Sequence, residues 1–167
     1  MPLYFAYGAN MDRAAMAQRC PRSKPVCAAR LARHRFFIME QGFASVRRDP
    51  NAVVHGVLWD LALADVRGLD KYEELHNGLY AKITQPVLVE GGARRALIYV
   101  GASQKRGVPE PAYISGIIHA AGDWNFPEAY QRELRAFAPN GQVSFEKAAV
   151  MERPAVRPRF NTPFDRV

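Results

Sequence analysis

The sequence predicts a single α+β domain whose sheet is strongly curved or closed. Two observations point there. Short apolar segments rich in aromatic and β-branched residues dominate the centre of the chain, with helical patterns both among and after them. Strand pairs joined by tight turns are mixed with single helices, instead of the regular strand–helix alternation that a parallel sheet demands. At 167 residues with 49% hydrophobic residues, the chain is long and apolar enough to bury one real core. No internal repeat or linker divides it.

The elements follow in order. Leu3 to Tyr7 is short, apolar and aromatic, as a buried strand is, and Gly8 breaks it. Asn10 is a good N-cap, and Ala14, Ala15, Met16 and Ala17 favour the helix after it. Pro21 and Pro25 mark the helix end and a loop. Arg35 to Met39 and Val53 to Leu61 read as strands, with Asp49-Pro50-Asn51 a turn between them. Leu63, Val66 and Leu69 recur at spacings of three, so a helix runs from Ala62 onward. Tyr80 to Val89 and Ala96 to Val100 form a hairpin around Glu90-Gly91-Gly92. Tyr113 to Ala121 and Pro127 to Phe137 are helical, the second with a capping-box pattern at Asn125 and Glu128. Residues 1–152 are read as the domain. Residues 153–167, with Pro154, Pro158 and Pro163, are read as an extended tail over the surface.

Composition excludes more than it selects. The formal net charge is +7, yet the 23 Lys and Arg are scattered and their densest pairs, such as Arg47-Arg48 and Arg94-Arg95, are short. A nucleic-acid face shows clustered cations interleaved with aromatics, so no nucleic-acid partner is expected. No apolar run is long enough to cross a bilayer, and the start of the chain lacks a signal peptide's charged and apolar regions, so a cytoplasmic protein without a membrane partner is expected. Cys20 and Cys27 are too few for a disulfide framework and are wrongly spaced for a zinc knuckle or redox pair. The histidines His34, His55, His76 and His119 fit no metal motif, and Ser45, Ser103, Ser115 and Ser144 lack a nucleophile elbow. No metal and no cofactor are expected.

Two features carry chemistry. A strand, a glycine turn at Gly8 and a capped helix bring unpaired backbone N–H groups together, where an anion is welcome. Gly8 also admits a ligand close to the backbone. Read alone, the same segment is equally a plain tight turn. The second feature is Leu69-Asp70-Lys71-Tyr72-Glu73-Glu74. Val66, Leu69 and Glu73 fall on one helix face, so Glu73 continues the apolar stripe while Asp70, Lys71 and Glu74 point elsewhere. A carboxylate there is partly desolvated, which raises its pKa towards the range a general base needs near neutral pH. Its alternative is a solvated charge at a frayed helix end. Tyr113, at a helix start, is either a phenol lining a cleft or a packing aromatic.

Together the pieces resemble the γ-glutamylcyclotransferase family. Tyr4-Phe5-Ala6-Tyr7-Gly8-Ala9-Asn10 is similar to that family's YFAYGSN motif at every position but one, and Val54-His55-Gly56-Val57-Leu58-Trp59 to its VxGVVW strand. Leu69-Asp70-Lys71-Tyr72-Glu73 resembles its LDxxE segment; Gly78-Leu79-Tyr80 and Pro111-Ala112-Tyr113 follow in register. The likeness runs from about Leu3 to Asn140. It implies a small mixed β-barrel flanked by helices, and a cofactor-free cyclisation of a γ-glutamyl amide to 5-oxoproline. In that scheme Glu73 would be the acid/base. Tyr4, Phe5, Ala6, Tyr7, Gly8 and Ala9 would form the substrate loop with Tyr113 against the substrate, and Asn10 and Tyr80 are further candidates. The one departure, Ala9 at the usual serine position, removes a hydroxyl donor and leaves the choice among γ-glutamyl amino acids and amines open. The partner is a small γ-glutamyl molecule; a homodimer is left open. A non-catalytic pocket for an anionic metabolite is the alternative, distinguished by whether Glu73 shares a cavity with the Gly8 turn.

Overall fold

Five strands close into a barrel in the computed structural model, which describes residues 1–138. They are β1 (Leu3–Ala6), β2 (Lys24–Ile38), β3 (Ala44–Asp60), β4 (Tyr80–Val89) and β5 (Gly92–Gly101), in the spatial order β1-β3-β2-β4-β5. The barrel is mixed: β1 runs antiparallel to β3 and parallel to β5, and the other neighbours are antiparallel. Four helices accompany it: α1 (Arg13–Arg19), α2 (Leu63–Tyr72), α3 (Pro111–Asp123) and α4 (Glu128–Arg135). The expected fold class is therefore the observed one. The proposed tail at 153–167 and the domain limit at residue 152 lie outside the described residues.

Closure removes free strand edges, and the apolar faces turned inward supply the core. Phe5, Val54, Val57, Leu58, Leu69, Ile98, Ile114 and Ile117 are all buried. The close fit is clearest at Gly56. A Cβ there would stand 2.4 Å from the Ala6 carbonyl oxygen and 2.5 Å from the Phe5 ring, so a side chain is excluded where β1 lies across β3.

Local signals succeed where the chain reverses at Gly91, whose positive φ of 82° suits glycine at the β4–β5 turn. Two expectations about strand limits are corrected. Asp49-Pro50-Asn51 does not reverse the chain but lies inside β3. The real reversal comes at residues 39–43, with Gly42 at φ 85°. The pairing jumps from Ala32–Val53 to His34–Arg48, so Asp49 to Asn51 sit in a ladder irregularity, where Asp49 Oδ1 accepts from the Asn51 N–H at 3.0 Å. The Asx-type bond is the same chemistry in a bulge as in a turn, which is why the sequence pattern did not separate them. Pro25, read as part of a loop, is likewise inside β2.

Two caps also differ from expectation. Asp12, rather than Asn10, caps α1, accepting from the Ala15 N–H at 2.6 Å. Asn10 sits one turn earlier in a 3₁₀ segment, Ala9–Met11. No capping box forms at α4, whose N-cap is Pro127. Asn125 instead takes a left-handed conformation (φ 51°) and donates its N–H to the Gly122 carbonyl, closing α3.

Candidate active site

Where β1 ends, the chain turns through Gly8 and the 3₁₀ segment, in which the Met11 N–H bonds to the Gly8 carbonyl at 3.0 Å. Because Asp12 caps α1 itself, the expected presentation of a helix N-terminus to a ligand is replaced by this short turn. The turn forms one wall of a small, partly open cavity. Tyr4, Tyr7, Gly8, Ala9 and Asn10 line it, opposite Ala44, Glu73, Tyr80, Tyr99 and Tyr113. Eight of the sequence-derived candidates thus converge on one space. Phe5 and Ala6 are fully buried and lie behind it, with the Phe5 ring filling the gap above Gly56.

Glu73 is only 3% exposed. It is the C-cap of α2, its N–H closing the last turn on the Leu69 carbonyl at 2.9 Å, and the chain turns left-handed immediately after it at Glu74 (φ 50°). This end of the helix is therefore held, not frayed, and delivers a carboxylate among aromatic walls. Asn10 Nδ2 donates to Glu73 Oε1 at 2.9 Å. Exclusion of water works against the charge on such a group, and the amide bond works for it.

The same Asn10 Nδ2 donates to Tyr4 Oη at 3.0 Å. Burial above all, and then the nearby Glu73 carboxylate, push the Tyr4 phenol well above its usual pKa, against the opposing pull of the Asn10 bond. Tyr4 accordingly keeps its proton at neutral pH. Tyr113 and Tyr80 grip the opposite wall from two sides: the Ala44 N–H donates to Tyr113 Oη at 3.1 Å, and Tyr80 Oη donates to the Ala44 carbonyl at 2.6 Å. Tyr113 stands on the first turn of α3, where Pro111 begins the helix, and packs edge-on to Phe43.

Two lining residues escaped the sequence reading. Ala44 has no chemical signature at all. Tyr99 enters because β5 lies beside β1, and its hydroxyl donates to Asp70 Oδ1 at 2.5 Å while its carbonyl accepts from Tyr7 Oη at 2.5 Å. Burial first, then the Asp70 hydrogen bond, raise its pKa. Asp70, read from helical spacing as pointing away from the apolar face, does so only in part: it is half-buried, bonded to the buried Tyr99 hydroxyl and paired with Lys82 at 2.6 Å. Among the described lining residues Glu73 is the carboxylate, and there is no Lys or Arg.

With this geometry in hand, the chain's relatives can be placed. Residues 53–134 match the AIG2-like family. The chain is 28% identical to human γ-glutamylcyclotransferase over 165 residues, spanning 90% of this chain and 88% of that protein, and 27% identical to the mouse protein over the same shares. A solved structure described as γ-glutamyl cyclotransferase superposes with a TM-score of 0.77 at 28% identity, over 87% of this chain and 94% of that one. A human protein described as uncharacterized superposes with a TM-score of 0.76 at 30% identity, over 86% and 94%. The chain belongs to the γ-glutamylcyclotransferase family. Within this member, the family-like segments at residues 4–10, 69–73, 78–80 and 111–113 all reach the one cavity, and the strand at 54–59 forms the barrel wall behind β1.

Proposed function

We propose that this protein is a γ-glutamylcyclotransferase that closes a γ-glutamyl amide onto itself, forming 5-oxoproline and releasing an amine or amino acid, with Glu73 as general acid/base. The observation that carries this reading is that the buried Glu73 carboxylate and the Gly8 turn line the same cavity. A pocket that merely stored an anion has no use for a second negative group facing it, so the non-catalytic alternative loses its main support.

The chemistry follows from the substrate's own groups. Its α-amine has a pKa of about 8 and is mostly protonated at neutral pH, so it must lose a proton before it can attack. Glu73 accepts that proton. The amine nitrogen bonds to the γ-carbonyl carbon and gives up a second proton as the amide C–N bond breaks; Glu73 passes its proton to the departing nitrogen, and the released amine takes up the other. Bond making and breaking balance with no water and no second substrate. The attack is intramolecular, so the walls need only fold the glutamyl chain into a near-attack shape, an orientation effect of up to ~7–11 kcal/mol.

Binding fits the same picture. With no Lys or Arg lining the cavity, the substrate's α-carboxylate is held by backbone N–H groups of the Gly8–Asn10 turn and by phenols. Ala9 lacks the hydroxyl that the family's usual serine offers. The missing hydrogen bond is worth about 0.5–1.5 kcal/mol, enough to tune substrate choice without removing the reaction.

The test is a panel of γ-glutamyl amino acids, γ-glutamyl amines and glutathione, with 5-oxoproline as the readout. Glu73→Gln keeps the shape and the Asn10 contact but cannot move the proton. It should fold normally and lose at least the ~10²–10⁴-fold typical of an acid/base group. Full activity in Glu73→Gln would remove Glu73 from the reaction.

A further inference from the structure

Arg19 lies outside the cavity, yet two contacts tie it to Glu73. Its Nη1 donates to Asn10 Oδ1 at 2.7 Å, and its guanidinium sits 3.9 Å over the centroid of the Tyr72 ring. Tyr72 is the last residue of α2 and the covalent neighbour of Glu73, while Asn10 is the hydrogen-bond partner of the Glu73 carboxylate. One cation thus touches Glu73 through the backbone on one side and through an amide on the other. It is brought there by Asp65, which accepts from the Arg22 N–H at 2.9 Å and from Ser23 Oγ at 2.7 Å and so clamps the end of α1 against α2.

The consequence lies in the two ends of the Asn10 amide. An amide oxygen accepts and its NH₂ donates, and the group is nearly the same shape either way round. A guanidinium has five N–H donors and no acceptor, so only the oxygen end can face it. With Oδ1 held by Arg19, Nδ2 is turned to Glu73 and Tyr4. The reverse orientation sets an oxygen against the carboxylate and an NH₂ against the guanidinium, two repulsive contacts in a buried place. The Tyr4 oxygen, in turn, already accepts from Asn10, so its own proton is directed elsewhere, and the space that Tyr4 lines is the cavity.

We propose that Arg19 is a positioning residue. By holding Asn10 Oδ1 it sets the amide so that Nδ2 fixes the Glu73 carboxylate and turns the Tyr4 hydroxyl proton into the cavity, towards the substrate's γ-carbonyl oxygen. This rests on the cyclotransferase reading for its kinetic tests but not for its structural one. Tyr4 then supplies a neutral donor where negative charge develops on that oxygen.

The tests are kinetic and spectroscopic. Arg19→Gln is two atoms shorter, uncharged and carries an acceptor as well as a donor, so the amide is no longer forced. Its kcat should fall about tenfold with KM within about threefold of wild type, the pattern of an interaction that matters at the transition state. Arg19→Lys also donates without accepting and should restore most of the kcat. In an Asn10→Ala background, Arg19→Gln should add no further loss. Wild-type kcat in Arg19→Gln, a loss that lysine does not restore, or an undiminished further loss without Asn10 would each overturn the role. Side-chain amide exchange measured by NMR supplies a readout independent of turnover. Both Asn10 Nδ2 protons are hydrogen-bonded in wild type and should exchange slowly, and at least about tenfold faster in Arg19→Gln. Equal exchange in the two proteins overturns the proposal whatever the activity. Protected exchange together with no 5-oxoproline from wild type overturns only the proposed reaction.

Discussion

At Gly8 there is room for a hydrogen and little more. A Cβ built there stands 3.3 Å from the Ala44 Cβ and 3.6 Å from Tyr113 Oη, two groups on the opposite wall of the cavity. Its φ of −121° is not left-handed, and what the surroundings demand of glycine here is space. Gly8→Ala should therefore fold with an almost unchanged melting temperature. The added methyl narrows the cavity between Ala44 and Tyr113, and KM for γ-glutamyl substrates should rise about tenfold, a ~1.4 kcal/mol effect. An unchanged KM would show that substrate does not pass between those walls. At this scale the motif residues were largely legible: Tyr4, Tyr7, Gly8, Ala9, Asn10, Glu73, Tyr80 and Tyr113 all line the cavity. What was not legible is how they work together. Asn10 carries a good capping side chain, and only its placement one turn before α1 frees that side chain to serve Glu73 instead of the helix.

Elements meet through contacts that no local pattern announces. The pairing of β1 with β3 is among the tightest, since any Cβ at Gly56 would collide with the Ala6 carbonyl and the Phe5 ring. Gly56→Ala must push β1 outward, and one of the colliding atoms is backbone, so the cost belongs at the upper end of the ~1–3 kcal/mol of overpacking. Equilibrium unfolding in urea measures it as a lowered midpoint; an unmoved midpoint would contradict the packing at this pairing. Because β1 runs directly into the Gly8 turn, the same change should also lower activity. Strand and helix types were read correctly from periodicity, while several boundaries were not. Asp49-Pro50-Asn51 carries turn chemistry, yet pairing with β2 on both sides keeps the chain running straight through it. Tertiary pairing overrides a local preference there, because the ladder bonds on either side outweigh a single Asx bond.

For the molecule as a whole, His55 on β3 joins the barrel to α4 and the residues just before it. Its ring packs against Tyr130 of α4 at 4.8 Å and against Phe126 at 5.6 Å. Burial, and then the charge of Arg30 on the neighbouring strand, lower the His55 pKa below its ordinary value. The sign of the effect follows from linkage. Between the lowered folded pKa and the unfolded value of about 6.5, the unfolded chain binds the extra proton. Stability from this site is thus complete above about pH 6.5 and is lost as pH falls towards the folded value. Melting temperatures at pH 7.5 and 5.5 should show a smaller drop for His55→Phe than for wild type; equal drops would remove His55 from the acid response.

By itself the sequence determined the α+β class, the order of strands and helices and the short list of residues that bear on chemistry, because hydrophobic period, turn residues and motif spacing are local properties of the chain. Only the tertiary structure decided that β1 joins β5, bringing Tyr99 to the site, that Asn10 reaches across to Glu73, and that Arg19 stands behind both. Those contacts link residues 9 to 93 positions apart. They exist because a closed barrel brings distant strands together and leaves a buried carboxylate, an amide and a guanidinium only one mutually satisfying arrangement.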